Sequence, residues 1–145
     1  MFKLKLTEDF FVIIGDAIFD IDFNRMVDYH RAKGGLVTLF THPNSHPYDS
    51  GVVIADKDGI VQSWLNKEDK RPLYYKNRVN AGIQLLSPKA LEMSGIDAEL
   101  VGTEVEGRIL KVDMDRQILR PLCGTGKMFC YDSPEYVKDM GTPER

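Results

Sequence analysis

The stretch Phe10-Phe11-Val12-Ile13-Ile14-Gly15-Asp16 decides the fold that is expected for this chain of 145 residues. Five consecutive apolar residues with no alternating polar position are typical of a strand buried on both faces, as in a parallel sheet. Gly15 is expected to end this strand, which leaves Asp16 beyond its carboxyl end. Ligands of open α/β sheets bind at such ends, so Asp16 is a candidate to hold a metal ion or a phosphate-bearing substrate. The alternative is that Asp16 only begins a loop or caps a turn.

Composition favours a single globular domain with a substantial core. The chain has 43% hydrophobic and 28% charged residues and a net charge of -3, which gives no reason to expect nucleic acid or an anionic membrane as a partner. No apolar run reaches membrane-spanning length, and the first residues lack a signal-peptide core. A cytoplasmic protein is therefore expected. Cys123 and Cys130 form no metal-binding pattern and are expected to be reduced thiols.

A strand–helix–strand unit is predicted from the opening stretch onward. Asp22 is placed to cap a helix whose apolar positions recur with helical spacing from Phe23 to His30, and Gly34-Gly35 is expected to end it. His30 lies on that apolar stripe and is interpreted as a core residue. Residues 36–41 form the next apolar run, which predicts a second strand and a βαβ-like unit with a right-handed crossover.

Further along the chain, residues 51–55 and 60–65 predict a β-hairpin, because the intervening Asp-Lys-Asp-Gly suits a tight turn. Residues 79–86 predict another strand, followed by a helix with Ser87 as N-cap and Pro88 in its first turn. Asp113 or Asp115 is expected to open a helix through Leu119. The glycines of 124–126 are expected to end it before a short strand over 127–131.

Five stretches, in order, carry a resemblance to a known family: FFVIIGD at 10–16, HPNSHPYDSGVVI at 42–54, SWLNKE at 63–68, VNAGIQLLSP at 79–88 and DMGTPE at 139–144. Together they resemble the sugar-phosphate nucleotidyltransferases, which join a sugar 1-phosphate to a nucleoside triphosphate. The sequence HPNSHPYDS at 42–50 is particularly similar to the branch that activates mannose 1-phosphate or a heptose 1-phosphate, often with GTP.

The resemblance implies an α/β fold: a three-layer, Rossmann-like (GT-A-like) mixed sheet flanked by helices. It covers essentially the whole chain, 1–145, which is interpreted as one partial nucleotidyltransferase domain. The family begins with a strand and a glycine-rich Gly-x-Gly-Thr-Arg loop that hold the triphosphate and base, and nothing in this sequence matches them. We therefore expect an N-terminally truncated domain whose missing first strand leaves a sheet edge near Phe11 and Ile13, and hence a homo-oligomer or a complementing chain as partner.

The resemblance also implies the site residues. Asp16 and Asp139 would be the two carboxylates that hold Mg²⁺, and Lys67 would contact the sugar phosphate. The sugar would lie along Gly51, Asn80, Ala81 and Gly82. The residues alone leave other interpretations open: Asp139 as a turn residue, Lys67 as a solvated side chain, Gly82 as a bulge and Asn80 as a polar residue at a strand edge.

The implied activity is nucleotidyl transfer, with little or no turnover expected from the isolated chain. One alternative is a non-catalytic fragment, or one piece of a split enzyme, that binds sugar phosphate or a partner chain. Another is a phosphatase of the haloacid-dehalogenase type, because Asp20-Ile21-Asp22 matches the two acids of that signature. Phe23 and Asn24 replace the glycine and threonine that the signature needs. His42 and His46 lie in a proline-rich stretch with no clustered carboxylate to complete a ligand set, and they are not expected to bind metal.

Overall fold

The computed structural model describes residues 6–45, 51–96, 104–105, 107–109 and 111–140. Ten strands and two α-helices lie within these residues, with one π-helix, Met114–Leu119, followed directly by one 3₁₀-helix, Arg120–Leu122. In chain order they are β1 (Phe10–Ile13), β2 (Ala17–Asp20), α1 (Phe23–Lys33), β3 (Val37–His42), β4 (Val52–Ala55), β5 (Val61–Leu65), β6 (Val79–Leu86), α2 (Pro88–Met93), β7 (Glu104–Val105), β8 (Arg108–Ile109), β9 (Met128–Asp132) and β10 (Tyr136–Asp139).

The main sheet has four strands in the order β1-β6-β3-β9. Strand β6 pairs antiparallel with both β1 and β3, whereas β3 and β9 run parallel. The sheet is therefore mixed, and the predicted α/β class is confirmed. Strands β1 and β3 run in the same direction, as a βαβ unit requires, but β6 lies between them.

The position of β1 corrects one prediction. Strand β1 is an edge strand of the described sheet, it pairs antiparallel with β6, and its side chains are only partly buried. The expectation of a strand buried on both faces within a parallel arrangement was therefore wrong. An unbroken apolar run also occurs in a strand that packs on a core with one face and leaves the other face partly exposed. Strand β1 is such a strand, and its residue Ile13 is 40% exposed.

Helix α1 follows its sequence signals closely. The Asp22 carboxylate accepts hydrogen bonds from the backbone N–H groups of Asn24 (3.0 Å) and Arg25 (3.4 Å), which makes it the N-cap. Gly34 ends the helix in the left-handed conformation, with φ of 64°. Met26 and His30 are its buried residues, so the prediction of a core position for His30 is confirmed.

Apolar clusters cover both faces of the sheet and make three layers. Helix α1 and strand β10 contribute to one cluster, around Met26, Phe40 and Ile83. Helix α2, the hairpin and the π- and 3₁₀-helices contribute to the other, around Leu39, Val53 and Leu119. The core therefore lies on both sides of β6 and β3.

Three smaller sheets accompany the main one in the described residues: β4 with β5, β7 with β8, and β10 with β2. The first is the predicted hairpin, whose turn is held by the Asp56 carboxylate accepting from the N–H groups of Asp58 and Ile60, both at 2.9 Å. The pair of β2 with β10 was not predicted. It joins residues more than 110 positions apart, in the register Asp139 to Ala17 and Tyr136 to Asp20.

The helix predicted from Asp113 or Asp115 is present as a π-helix with Asp113 as its cap. The Asp113 carboxylate accepts from the N–H of Arg116 at 3.0 Å. Both cysteines are free thiols, as expected, with Cys130 buried in β9. Among the helices in the described part of the chain, none has the length and apolar character needed to cross a membrane.

Candidate functional site

A cavity of about 800 Å³ lies where β3 ends and β6 begins. All four residues that the sequence predicted along the sugar, Gly51, Asn80, Ala81 and Gly82, line this cavity. They come from two places in the chain, because Gly51 precedes the hairpin and the other three lie on β6. The cavity is large enough for a sugar phosphate, since small-molecule sites typically span about 300–1,000 Å³.

Gly82 is required by the local backbone. Its φ is 75°, and a Cβ added there would lie 2.2 Å from the Cδ1 atom of Ile14. The ladder between β3 and β6 changes register at this point, where Leu39 faces Gln84 but Thr41 faces Asn80. Gly82 therefore occupies a bulge that lets Ile14 pack against the strand and brings main chain to the cavity wall.

Asn80 supports the same bulge, because its Oδ1 atom accepts a hydrogen bond from the N–H of Gly82 at 3.2 Å. The other nearby glycine, Gly51, is needed for a different reason. A Cβ at Gly51 would lie 2.9 Å from Nε1 of Trp64. The indole ring of Trp64 therefore closes over Gly51 and forms part of the cavity wall.

Asp16 lies in the turn between β1 and β2, with an exposed side chain. Asp139 is the last residue of β10 and pairs with Ala17, and the N–H of Met140 donates to the carbonyl oxygen of Asp16 at 2.8 Å. The main chains at Asp16 and Asp139 therefore meet, although 123 positions separate them in sequence. The cavity wall includes Ile14 and Lys138, so both acids lie within two residues of it along the chain.

Lys67 lies outside the cavity wall. Its side chain is 64% exposed, and its ammonium nitrogen lies 3.8 Å from a carboxylate oxygen of Glu68. Its neighbour Asn66 does line the cavity. A phosphate contact by Lys67 stays a prediction, and it requires the long side chain to swing from the surface toward the cavity.

Sequence reasoning missed several polar or aromatic residues of the cavity wall, namely Trp64, Asn66, Gln84, Asp115 and Arg120. Trp64 and Asn66 lie inside a stretch that carried the family resemblance, so their place next to Lys67 was an available signal. Gln84 also lies inside a stretch that carried the resemblance, 79–88, so the same signal was available for it. No local signal marked Arg120, because its exposure to the cavity depends on how the helical segment packs on the sheet.

A second polar cluster lies at the end of β9, outside this cavity. The Asp132 carboxylate accepts from Nε and Nη2 of Arg78 at 2.7 and 2.6 Å, from Nζ of Lys76 at 2.6 Å and from Oγ1 of Thr41 at 2.7 Å. Burial raises the pKa of this carboxyl, but the hydrogen bonds from Arg78, Lys76 and Thr41 outweigh it and hold the pKa far below its usual range. The cluster ties the ends of β3, β6 and β9 together.

Next to this cluster, the Tyr29 hydroxyl donates to the carbonyl oxygen of Cys130 at 2.7 Å. Burial, reinforced by Cys130 and Asp132, raises the pKa of Tyr29 to about 12, and burial raises that of the Cys130 thiol to about 12 as well. Both groups are therefore neutral near pH 7, and neither is activated as a nucleophile.

The described histidines have different surroundings. His30 is buried, with Nδ1 2.7 Å from Oγ1 of Thr38 and Nε2 3.6 Å from Asp9, and burial lowers its pKa. His42 is the last residue of β3 and lines the cavity, whereas a loop position was expected; burial lowers its pKa too. His46 lies outside the described residues. Within the described part of the chain, no group of three or more metal-ligating side chains comes together.

Comparison with known proteins places this architecture in a family. The sequence profile of the family described as nucleotidyl transferase matches residues 2–120. The chain belongs to the nucleotidyl transferase family. This confirms the resemblance that the sequence motifs carried.

Two of the curated relatives of this nucleotidyl transferase chain have names that refer to mannose 1-phosphate. The chain is 27% identical over 137 residues to the mannose-1-phosphate guanylyltransferase catalytic subunit beta of Drosophila pseudoobscura pseudoobscura, covering 94% of this chain and 33% of that protein. It is 25% identical to the mannose-1-phosphate guanyltransferase of Candida albicans, covering 97% and 37%. The chain thus spans about a third of the length of these curated relatives.

Among solved structures, HddC from Yersinia pseudotuberculosis matches this nucleotidyl transferase chain with a TM-score of 0.68 at 19% identity, covering 94% of this chain and 52% of that one. HddC complexed with GMP-PN matches with a TM-score of 0.64 at 18% identity, with the same coverage. At such identities the likeness concerns the fold. It supports the mixed sheet flanked by helices and shows that the chain corresponds to about half of the neighbouring structures.

Proposed function

We propose that this chain provides the metal-binding and sugar-phosphate-binding part of an enzyme that transfers a nucleotidyl group, preferably from GTP, to a mannose- or heptose-type sugar 1-phosphate. In this reaction a phosphate oxygen of the sugar 1-phosphate attacks the α-phosphorus of the triphosphate. A new P–O bond forms, the bond between the α-phosphorus and the bridging oxygen breaks, and pyrophosphate leaves. The products are an NDP-sugar and pyrophosphate.

The observation that carries the proposal is the cavity itself. It is lined by Gly51, Asn80, Ala81 and Gly82 and also by Lys138, the residue before Asp139. Such a site suits a reaction that depends mainly on positioning the attacking oxygen and offsetting negative charge. The names of the Drosophila and Candida relatives favour mannose 1-phosphate and a guanine nucleotide as substrates.

Mg²⁺ is the proposed cofactor, held by Asp16 and Asp139. The exposed side chain of Asp16 and the meeting of the two main chains fit a magnesium site, because Mg²⁺ takes only one or two carboxylates and fills its other positions with water and phosphates. When bound, the ion would offset the charge that develops on the phosphates. Such a site does not need three or more protein ligands.

The chain's own residues have the remaining proposed roles. The Asn80 amide can donate to and accept from sugar hydroxyls, while the main chain at Ala81 and Gly82 approaches the sugar closely. Lys67 would neutralise the sugar phosphate as a point charge. The phosphatase alternative requires both acids of the Asp20–Asp22 pair to face phosphate, but the Asp22 carboxylate caps α1. This observation disfavours the phosphatase alternative.

Two measurements test the proposal. In the first, mannose 1-phosphate is titrated into the ¹⁵N-labelled chain with Mg²⁺, and the backbone resonances of residues 79–84 should shift, while those of the hairpin turn at 56–59 should not. Resonance shifts confined to other regions would contradict the assigned site. The titration separates a sugar-phosphate-binding chain from a pure protein-binding fragment.

In the second, pyrophosphate release is measured with GTP, Mg²⁺ and mannose 1-phosphate. We expect little or no release from this chain alone and restored release when a chain carrying a glycine-rich triphosphate-binding segment is added. Release that depends on Asp16 would support the assigned role. Liberation of inorganic phosphate that depends on Asp20 would instead support a phosphatase.

A further inference from the structure

Two polar side chains of the cavity wall can hydrogen-bond a ligand. Arg120 begins the 3₁₀-helix, and its Nε atom is buried without a hydrogen-bond partner among the described residues. Gln84 also lines the cavity and is only 3% exposed, although its amide is not among the buried atoms of the described residues that lack a partner. Buried polar groups are normally paired, so an unpaired one on a cavity wall indicates a ligand or water that pairs with it.

Arg120 is held in place by its neighbours. Its Nη2 atom donates to Oδ1 of Asn66, and its guanidinium lies 5.9 Å from the centre of the Trp64 ring. The hydrogen bond to Asn66 and the cation–π contact with Trp64 together restrict the guanidinium, and with it the direction of the free Nε–H. A preset donor loses little entropy when a ligand binds.

Gln84 reaches the same cavity from the sheet. It lies directly opposite Leu39 in the ladder, and Leu39 belongs to the core between the sheet and the hairpin. The Gln84 side chain therefore points to the face on which Trp64 and the helical segment pack. A carboxamide both donates and accepts, which suits a hydroxyl group better than a phosphate.

The charge balance around Arg120 also favours a neutral ligand group. Asp115 lines the same cavity; partial removal from water and the nearby Asp113 raise the pKa of its carboxyl, and the positive charge of Arg120 opposes this rise. The two side chains thus offset each other's charge within the cavity. An anionic group would gain less from a guanidinium that already has a carboxylate neighbour than from an isolated cation.

We propose that Arg120 and Gln84 determine sugar specificity by hydrogen-bonding a ring or side-chain hydroxyl of the sugar 1-phosphate, with the phosphate bound elsewhere in the cavity. This inference rests on the proposed function and adds to it the two residues that read the sugar. A site that pairs its buried polar groups with a hydroxyl rejects the analogue lacking that hydroxyl, because the groups are then left unpaired.

The experiment is a titration of the chain with mannose 1-phosphate, with its four monodeoxy analogues at positions 2, 3, 4 and 6, and with inorganic phosphate. The wild-type chain should bind one analogue about tenfold more weakly than the parent sugar phosphate. Arg120→Met should weaken the binding of mannose 1-phosphate by about tenfold and should bind that analogue no more weakly than mannose 1-phosphate. Its affinity for inorganic phosphate should stay within about twofold of the wild-type value. Arg120→Lys should not restore the discrimination, because lysine lacks the oriented Nε–H.

Arg31→Met is the matched control, since Arg31 is exposed on α1 and outside the cavity. Gln84→Met, which keeps the side-chain volume, is a second variant in case Arg120→Met fails to fold, and it should reduce discrimination among the same analogues. If Arg120→Met weakens the binding of inorganic phosphate as much as the binding of mannose 1-phosphate, Arg120 binds phosphate and the proposal is overturned. If the wild-type chain binds mannose 1-phosphate but both variants discriminate unchanged, only this proposal fails. If the wild-type chain binds no sugar phosphate, the proposed function fails with it.

Discussion

The N–H of Met140 donates to the carbonyl oxygen of Asp16 across 2.8 Å, at the end of the short ladder between β2 and β10. This hydrogen bond closes the turn that follows β1 against the end of β10. Because Asp139 precedes Met140, the two acids proposed for Mg²⁺ are attached to main-chain segments that hold each other in register. The site therefore depends on a small two-stranded sheet at the margin of the fold.

The first prediction concerns this pair. Asp16→Asn should weaken the binding of Mn²⁺, used as a paramagnetic substitute for Mg²⁺, by at least about tenfold, because an amide cannot replace the charge of a carboxylate ligand. The measurement is the broadening of backbone NMR signals around residues 15–17 during a Mn²⁺ titration. Asp28→Asn, at an exposed position of α1, is the control and should leave the titration unchanged. Equal broadening in wild type and Asp16→Asn would remove Asp16 from the metal site.

The second prediction concerns Gly82. Gly82→Ala should destabilise the chain by about 2–4 kcal/mol, because the new Cβ would both adopt φ of 75° and meet Ile14 at 2.2 Å. Gly126→Ala is the matched control: its φ is 76°, but a Cβ there would meet nothing within 4 Å, so only about 1 kcal/mol is expected. Urea unfolding measures both. Equal losses would mean that Ile14 gives way and that the bulge does not depend on its packing.

The sequence was sufficient to predict those elements whose signals lie within a few neighbouring residues. Asp22 as N-cap, the Asp-Gly turn of the hairpin and the apolar run of β6 each depend on neighbours within a few residues, and all three are present in the structure. The pairing of β2 with β10 could not be predicted, because both strands have four residues and their register is set only when distant segments meet. Arg120 could not be predicted as a cavity residue for the same reason, because its position depends on how the helical segment packs beside Trp64.

The third prediction concerns acid stability. Because hydrogen bonds from Arg78, Lys76 and Thr41 depress the pKa of Asp132 in the folded chain, its stabilising contribution is fully present above the unfolded-state pKa near 3.8 and is lost as the pH falls below it. Asp132→Asn should therefore reduce stability at pH 7 by about 1 kcal/mol, because the carboxylate is 35% exposed and water screens its charge, and it should flatten the dependence of stability on pH below about 4. Urea unfolding at pH 7, 4 and 3 measures this. Asp28→Asn should keep the wild-type slope, and an unchanged slope in Asp132→Asn would assign acid lability to other carboxylates.

The fourth prediction concerns Lys67. If its ammonium swings from Glu68 to the sugar phosphate, Lys67→Met should weaken the binding of mannose 1-phosphate and of inorganic phosphate by similar factors, about five- to tenfold. Lys57→Met, an exposed lysine in the hairpin turn, is the control. The test uses the same titration as for Arg120, and the two variants should give opposite patterns with inorganic phosphate. No change with either ligand would leave Lys67 as a solvated surface residue.

The last prediction concerns the free edge of β1. In the described sheet β1 has a partner on one side only, and Ile13, Ile14 and Ile18 nearby are 40%, 43% and 48% exposed. An edge with unpaired N–H and C=O groups and exposed isoleucines favours pairing with a second chain, so we expect concentration-dependent self-association by sedimentation velocity. Ile13→Lys should shift the chain toward monomer, because a charge on the edge opposes strand pairing. Ile109→Lys is the matched control, since Ile109 is 62% exposed in the separate β7–β8 sheet, and this variant should sediment as wild type. A wild-type chain that stays monomeric at all concentrations would exclude the homo-oligomer and leave a complementing chain as the expected partner of this edge.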